Sequence, residues 1–397
     1  LVLFYLKTSK ANRNRVAKII AMVLLAMFTL RAKAQSSTNI PPEDQLLIPE
    51  NVKLFKESML WQYTVGLRTG AGYRDNVLLS PSNAQGSAFV SEGLDASLSR
   101  LPLDDGWGVD AIFSGDDERY LQSVPTDGTD FWLADVTLKR FLGDHWLLGL
   151  ETGENYLDEV DYVDIRTGPE AVEIAGNTIS MKPFVRRNLG TNWWTEFDFP
   201  AAREMLNAPL DNVSKYGPQL QIGFSDDKKT EISLSYQIQQ FDHDSWAALS
   251  ADGAPLGTRN LSVVEQRAEL HWRHYWDGDN HWSTDTKLGF ARDEDNGGEF
   301  FNFDEYSLAE RVRFETKNWQ VTGTARGSYR DYPVQRTGLT SGPTLDEALL
   351  HASVRGERRL RTWLKLYAEY NYEQVLSNLA DIRYRANTFT VGLMWEF

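Results

Sequence analysis

The 397-residue chain contains no cysteine. That excludes disulfide staples, zinc–thiolate sites, iron–sulfur clusters and thiol nucleophiles. Positive charge is also scarce: 41 Lys and Arg stand against 56 Asp and Glu, a formal net charge of −15. Residues 1–34 hold seven of the basic residues and no acid, so 34 of the 41 face all 56 acids in the remainder. A nucleic-acid binder needs a basic footprint for phosphate, and this chain lacks one. Long hydrophobic runs are missing after Ala34, where no stretch of 18 apolar residues occurs. No segment there can cross a membrane as a helix. Mean hydropathy is −0.43, but strict alternation of apolar and polar residues lowers such an average without lowering the apolar area of one face.

The first 34 residues read as an address. Residues 1–18 are basic and polar after a short apolar start, residues 19–30 form an apolar core, and Ala32-Lys33-Ala34 follows. This is the order of a secretory signal peptide, whose core is shorter than the ~20 residues of a membrane span.

Beyond it the chain alternates with a period of two. In Glu231–Gln239 the apolar residues are Ile232, Leu234, Tyr236 and Ile238, all even. Val264, Ala268, Leu270, Trp272 and Trp276 share one face against Glu265, Arg267, Glu269, His271 and Arg273. Successive strand side chains point to opposite faces, so each segment has one greasy and one charged face. About 16 segments fit this template: 61–74, 88–101, 106–116, 130–141, 145–157, 177–187, 192–200, 217–225, 230–241, 262–276, 281–292, 304–315, 318–330, 347–359, 362–374 and 383–397. Tight turns rich in Gly, Asp and Asn join them in pairs, as at Gly143-Asp144 and Leu189-Gly190-Thr191. Longer polar loops alternate with these turns, among them 158–176, 201–216 and 242–261.

Tryptophan gives an independent signal. Trp61, Trp107, Trp146, Trp193, Trp282, Trp319 and Trp363 open odd-numbered segments, and Trp276 and Trp395 close even-numbered ones. In an up-and-down barrel all nine lie at the short-turn rim, where an indole belt meets a membrane interface. Tyr73, Phe89, Tyr156, Phe199, Phe241, Phe290, Tyr306, Tyr329 and Tyr372 are expected near the opposite rim.

Phe389, Val391, Leu393, Trp395 and Phe397 alternate back from the C-terminus. This resembles the C-terminal signature of bacterial outer-membrane β-barrels, where a terminal Phe on an alternating strand is read by the barrel-insertion machinery. The resemblance spans nearly all of residues 60–397. Gly70-Ala71-Gly72-Tyr73-Arg74-Asp75-Asn76-Val77-Leu78-Leu79-Ser80 is similar, more weakly, to the first strand and loop of barrel porins associated with exopolysaccharide loci. The expected fold is all-β: a transmembrane antiparallel up-and-down β-barrel of about 16 strands, with short periplasmic turns and long extracellular loops. The expected organisation is 1–34 signal peptide, 35–59 periplasmic segment or short inner helix, and 60–397 barrel, in the outer membrane of a Gram-negative bacterium. Glu92, Glu310, Arg383 and Arg385 break the pattern, sharing parity with apolar faces, which points to a rim position or a β-bulge.

With the apolar face toward lipid, the charged face lines the lumen. Its expected basic residues are Arg68, Lys139, Lys182, Arg186, Arg267, Arg273, Lys287, Arg311, Arg313, Arg326, Arg330, Arg355 and Lys365. Its expected acidic residues are Asp95, Asp110, Asp135, Glu151, Glu196, Asp198, Glu231, Glu265, Glu269, Asp285, Glu315, Glu357, Glu369 and Glu373. Near-equal sets permit a transverse field. A barrel of this size keeps an aqueous bore unless something fills it, and 242–261 or 158–176 are the loops long enough to fold inward. Trp194, Phe184, Tyr275, Tyr367 and Trp363 are candidate stacking surfaces.

Enzyme chemistry has thin support. His271 stands beside Glu269 and Arg273, and His281, Ser283 and Asp285 share a face, but no nucleophile elbow accompanies either set. Asp242-His243-Asp244 and Asp293, Asp295 and Glu299 are loose cation candidates, and the second departs from an EF-hand. No catalytic, cofactor or metal residue is assigned. The leading expectation is a porin-like channel for small hydrophilic solutes or saccharides. Its rivals are a structural or export-complex subunit that binds partner proteins, and a membrane-embedded hydrolase. Expected partners are outer-membrane lipid, the insertion machinery, and a homotrimer or export-complex proteins.

Overall fold

A computed structural model describes residues 61–397, apart from 103–105, 123, 166–167, 227–228, 278–280 and 338–341. The signal-peptide and 35–59 readings lie outside the described residues. Within the described residues the chain runs as strand segments β1 (Trp61–Arg74), β2 (Ser87–Arg100), β3 (Trp107–Tyr120), β4 (Gly128–Leu142), β5 (Trp146–Ile165), β6 (Gly168–Asn188), β7 (Trp193–Asp198), β8 (Ala201–Leu206), β9 (Val213–Tyr216), β10 (Gln219–Ser225), β11 (Thr230–Leu249), β12 (Pro255–Tyr275), β13 (Trp282–Asp295), β14 (Phe303–Glu315), β15 (Trp319–Arg336), β16 (Thr344–Arg361), β17 (Leu364–Ser377) and β18 (Tyr384–Glu396).

Eighteen segments make 16 staves, because two staves are each interrupted by a proline. Asp198 pairs with Phe184, and three residues further on Ala201 pairs with Met181. The register therefore runs unbroken from β7 into β8, past Pro200. The same holds from β9 to β10 past Pro218, since Tyr216 pairs with Ala201 and Gln219 with Asp198. Proline has no N–H for the ladder, so each stave loses a hydrogen bond there without changing course.

The wall closes on itself. β1 pairs antiparallel with β18 from Gly66↔Glu396 to Arg74↔Thr388. Beyond that, Val65 and Phe397 exchange backbone hydrogen bonds of 3.2 and 2.9 Å. Closure matters because an unpaired edge in hydrocarbon leaves N–H and C=O groups unsatisfied at several kcal/mol each.

Three of the long loops are largely strand. Residues read from sequence as loop at 158–176, 201–216 and 242–261 continue the ladder to Ile165, Leu206 and Leu249 and resume at Gly168, Val213 and Pro255. The alternation template misses them because no lipid enforces the pattern there and charged residues interrupt it, as at Asp158, Glu170 and Asp242, while the backbone pairing persists.

Two of the aromatics expected near the opposite rim lie toward that end of their strands but face inward. Phe89 is fully buried, its ring lying over the hollow at Gly72 and edge-on to Tyr120. Phe241 packs inward against the cluster of Leu249, Leu261, Val263 and Phe301. Both share parity with inward residues, Phe89 with Asp95 and Phe241 with Ser233.

The pattern-breaking residues involve no bulge. The β2–β3, β13–β14 and β17–β18 registers run without a shift through Glu92, Glu310 and Arg385. Glu92, across from Asp117, and Arg385, across from Gln374, lie toward the long-loop ends of their strands. Arg383 lies outside the strand and donates to the Ser377 carbonyl. Glu310 is not at a rim. It sits opposite Thr286, halfway between the Trp282↔Phe314 and Phe290↔Tyr306 pairs, and accepts the Thr286 hydroxyl hydrogen bond at 2.5 Å.

Candidate functional site

The outward face identifies the setting of the barrel. Leu67, Leu138, Leu148, Ile179, Ile222, Leu234, Leu288, Leu308, Val354 and Val391 are large apolar residues left exposed all round the wall. At the short-turn rim Trp61, Trp107, Trp146, Trp193, Trp276, Trp282, Trp319 and Trp363 are exposed. Three of these carry an arginine from the neighbouring strand over the ring: Arg140 over Trp107, Arg187 over Trp146 and Arg358 over Trp319, at 5.1–5.2 Å. Each is a directly opposed cross-strand pair. An apolar band that ends in a ring of indoles and guanidinium groups is the boundary between hydrocarbon and headgroups.

The protein is an outer-membrane β-barrel. Its setting is the outer membrane of a Gram-negative bacterium, with the tight turns periplasmic and the long hairpins extracellular. No protein-family model matches the chain, and no curated protein matches it. Among solved structures it is similar to OpdQ of Pseudomonas aeruginosa at 11% identity, with 85% of this chain and 98% of that chain covered and a TM-score of 0.44. It is also similar to an anion-selective porin from Comamonas acidovorans at 10% identity, covering 85% and 99%, with a TM-score of 0.42. A bacterial polysaccharide outer membrane secretin is similar at 11% identity, covering 84% and 98%, with a TM-score of 0.41.

Inside, this barrel carries a ladder of ion pairs. Arg68 meets Asp95 at 3.3 Å and also Asp116. Lys139 holds Asp110, Lys182 holds Glu151 at 2.9 Å, and Arg186 holds Glu196 at 2.7 Å. Arg267 holds Glu265 at 2.8 Å and reaches Glu305 at 3.9 Å. Arg273 joins Asp285 at 2.8 Å and Glu231 at 3.7 Å, and Lys287 faces Glu269 at 3.5 Å. Arg313 pairs with Glu315 at 2.6 Å. Arg355 bridges Glu357 and Glu369, and Lys365 meets Glu357 and Glu396. Arg330 holds Glu305 at 2.7 Å and Glu347 at 3.4 Å. Glu373 pairs with Arg74 at 3.5 Å. Asp135 lies beside the Glu151–Lys182 pair, its carboxylate filling the hollow at Gly153, and Asp198 is buried at the middle of its stave. Strand alternation places Arg311 and Arg326 on the same inner face.

The extracellular half of the bore is crossed by the β5–β6 hairpin. Tyr162 donates a 2.6 Å hydrogen bond to Glu347 on β16, seven staves away round the wall. Val160 and Tyr162 belong to one buried cluster with Leu79, Tyr332, Leu345, Val375 and Tyr384. The alternation continues along the hairpin, so Glu159 and Asp161 take the other face and line a cavity of about 1020 Å³. Arg74, Arg267, Arg273, Lys287, Arg311 and Arg326 line the same cavity. Of the two loops long enough to fold inward, 158–176 does so.

Sequence reasoning missed Arg74, Asp116, Glu159, Asp161, Glu305, Glu347 and Glu396. Glu305 shares parity with Arg311 and Arg313 and was legible. Glu159 and Asp161 were hidden because their span reads as loop.

The aromatic candidates are mostly occupied. Arg186 lies 4.1 Å over Trp194, and Arg355 lies 4.6 Å over Tyr367. Phe184 fills the hollow left by Gly149. Trp363 is exposed in the turn before β17. The proposed catalytic sets are regrouped: His271 pairs with Asp285 at 3.0 Å, and His281 with Asp277 at 2.9 Å. Among the described residues neither histidine carries a serine hydroxyl as hydrogen-bond partner. The cation candidates are dispersed. Asp242 accepts from Tyr216, Gln240 and Ser262, Asp244 pairs with Arg203, and Asp295 caps the backbone of Gly297, Glu299 and Phe301.

Proposed function

We propose that this barrel is a porin-like channel that passes small hydrophilic solutes or saccharides passively. The observation that carries the reading is the charged cavity of about 1020 Å³ beneath the β5–β6 hairpin. A bore of 16 staves is wide enough for water, and an inward hairpin narrows it. Within that cavity the hairpin supplies carboxylates, Glu159 and Asp161, while the facing wall supplies Arg311 and Arg326. Opposed charges across a narrow aqueous gap order water and solute dipoles, which favours polar over apolar solutes. Nothing in this mechanism requires a bond to be made or broken, so no catalytic residue is invoked.

Planar-bilayer recording of the purified barrel tests it. Stable unitary conductance steps are expected, together with swelling of liposomes in small sugars. A folded barrel that gives neither would overturn the channel reading.

A further inference from the structure

Arg311 and Arg326 differ from the other lumen cations named above. Each of those has a carboxylate within 4.0 Å, whereas among the described residues neither Arg311 nor Arg326 does. The two are neighbours. On β14 and β15, Ala309 pairs with Arg326 and Arg311 pairs with Thr324, so the arginines stand diagonally across one ladder step. Such diagonal positions lie about 7–8 Å apart. Lys287 is opposite Ala309 on the other side. Three cationic side chains therefore surround the small Ala309, and the methyl leaves the space between them open.

The carboxylates that could neutralise them are engaged elsewhere. Asp285, directly opposite Arg311, is taken by Arg273 and His271. Glu305 is taken by Arg330, and Glu269 stands on the far side of Lys287. Glu310 faces lipid beside Thr286. Across the cavity Glu159 and Asp161 likewise have no cation within 4.0 Å among the described residues.

We propose that Arg311 and Arg326, with Lys287 beside them, form an anion station in the lumen that selects solutes carrying carboxylate or phosphate groups. Guanidinium groups offer paired N–H donors matched to either oxyanion. Two neighbouring guanidiniums without a counter-ion repel each other, and a ligand with two or more anionic oxygens removes that repulsion. The station rests on the channel reading for its physiological use but not for its binding.

The test uses the full barrel in detergent micelles, with inorganic phosphate and trigalacturonate as probes. Calorimetry should show both anions competing for one site. R311Q/R326Q should weaken binding at least tenfold, while the external R292Q variant leaves it unchanged. In a salt gradient the double variant should shift the reversal potential toward cation preference, and R311K/R326K should restore it in part. Tighter binding of trigalacturonate points to acidic saccharides, and tighter binding of phosphate points to phosphorylated solutes. Unchanged anion binding in a folded R311Q/R326Q barrel overturns the station. Arginine-dependent binding in a barrel that conducts nothing keeps the station and removes the channel.

Discussion

The Tyr162 hydroxyl and the Glu347 carboxylate meet at 2.6 Å across the bore, although 185 positions separate them in the chain. Glu347 is fully enclosed there, since Tyr332 at 3.0 Å and Arg330 at 3.4 Å complete its shell. This contact fastens the outer end of β5 to the far wall.

Removing that hydrogen bond should loosen the hairpin. A hydrogen bond to a charged group contributes about 1.5–3 kcal/mol. Tyr162→Phe should therefore speed amide exchange at residues 159–163 by about tenfold to a hundredfold, with the membrane-spanning ladder unaffected. Equal exchange in both proteins would mean that the apolar cluster alone holds the hairpin.

Glu310 is a carboxylate on the lipid face, and its position halfway between the two aromatic pairs places it near mid-depth. Charge at that depth is unfavourable, less so for Glu than for Lys or Arg. Glu310→Leu should stabilise the barrel in lipid by about 1–2 kcal/mol, read as a higher urea midpoint with an unchanged slope. A destabilised variant would show that the Thr286 hydrogen bond outweighs the cost of the carboxyl in lipid.

Gly72 lies at the seam where the barrel closes. A Cβ there would come within 2.3 Å of the Phe389 carbonyl and 2.4 Å of the Phe89 ring. Backbone cannot yield as a flexible side chain can. Gly72→Val should cost about 2–3 kcal/mol through overpacking, measured as loss of the heat-modifiable folded band at mild urea concentrations. A folded band as resistant as that of the parent protein would show that β1 and β18 can part there.

Asp211 should give the extracellular hairpins a pH-dependent tie. Burial alone would raise its carboxyl, but the Ser245 and Trp246 amides and the Ser245 hydroxyl, with His243 nearby, hold it below the usual carboxylate range. A carboxyl held below its unfolded value stabilises the fold above that value and loses the contribution as pH falls through the folded one. Protease cutting within 207–212 should be slow from neutral pH down to about 4 and rise below it. Asp211→Asn should show fast cutting at neutral pH, and a variant with the parent's profile would sever this link.

How much was legible depended on where the membrane imposes its rule. Between the girdles each residue faces either hydrocarbon or water, so Ile232, Leu234, Tyr236 and Ile238 could be read outward and Arg267 and Arg273 inward from parity alone. Above the membrane no lipid enforces the rule, and charges such as Asp158, Glu170 and Glu173 interrupt it. Glu159 and Asp161 were therefore hidden, and the strand extensions to Ile165 and Leu249 read as loop.

The sequence by itself determined the strand count, the two faces, the indole belt and the charged lining, because a two-residue period in lipid admits one solution. Only the tertiary structure decided which charges meet. Parity places Asp285 inside, but register and side-chain reach assign it to Arg273 and His271 and leave Arg311 without a carboxylate within 4.0 Å among the described residues. The path of the hairpin was also decided there. Val160 and Tyr162 find their apolar partners on staves nearly opposite, and burial of that cluster turns the hairpin into the bore.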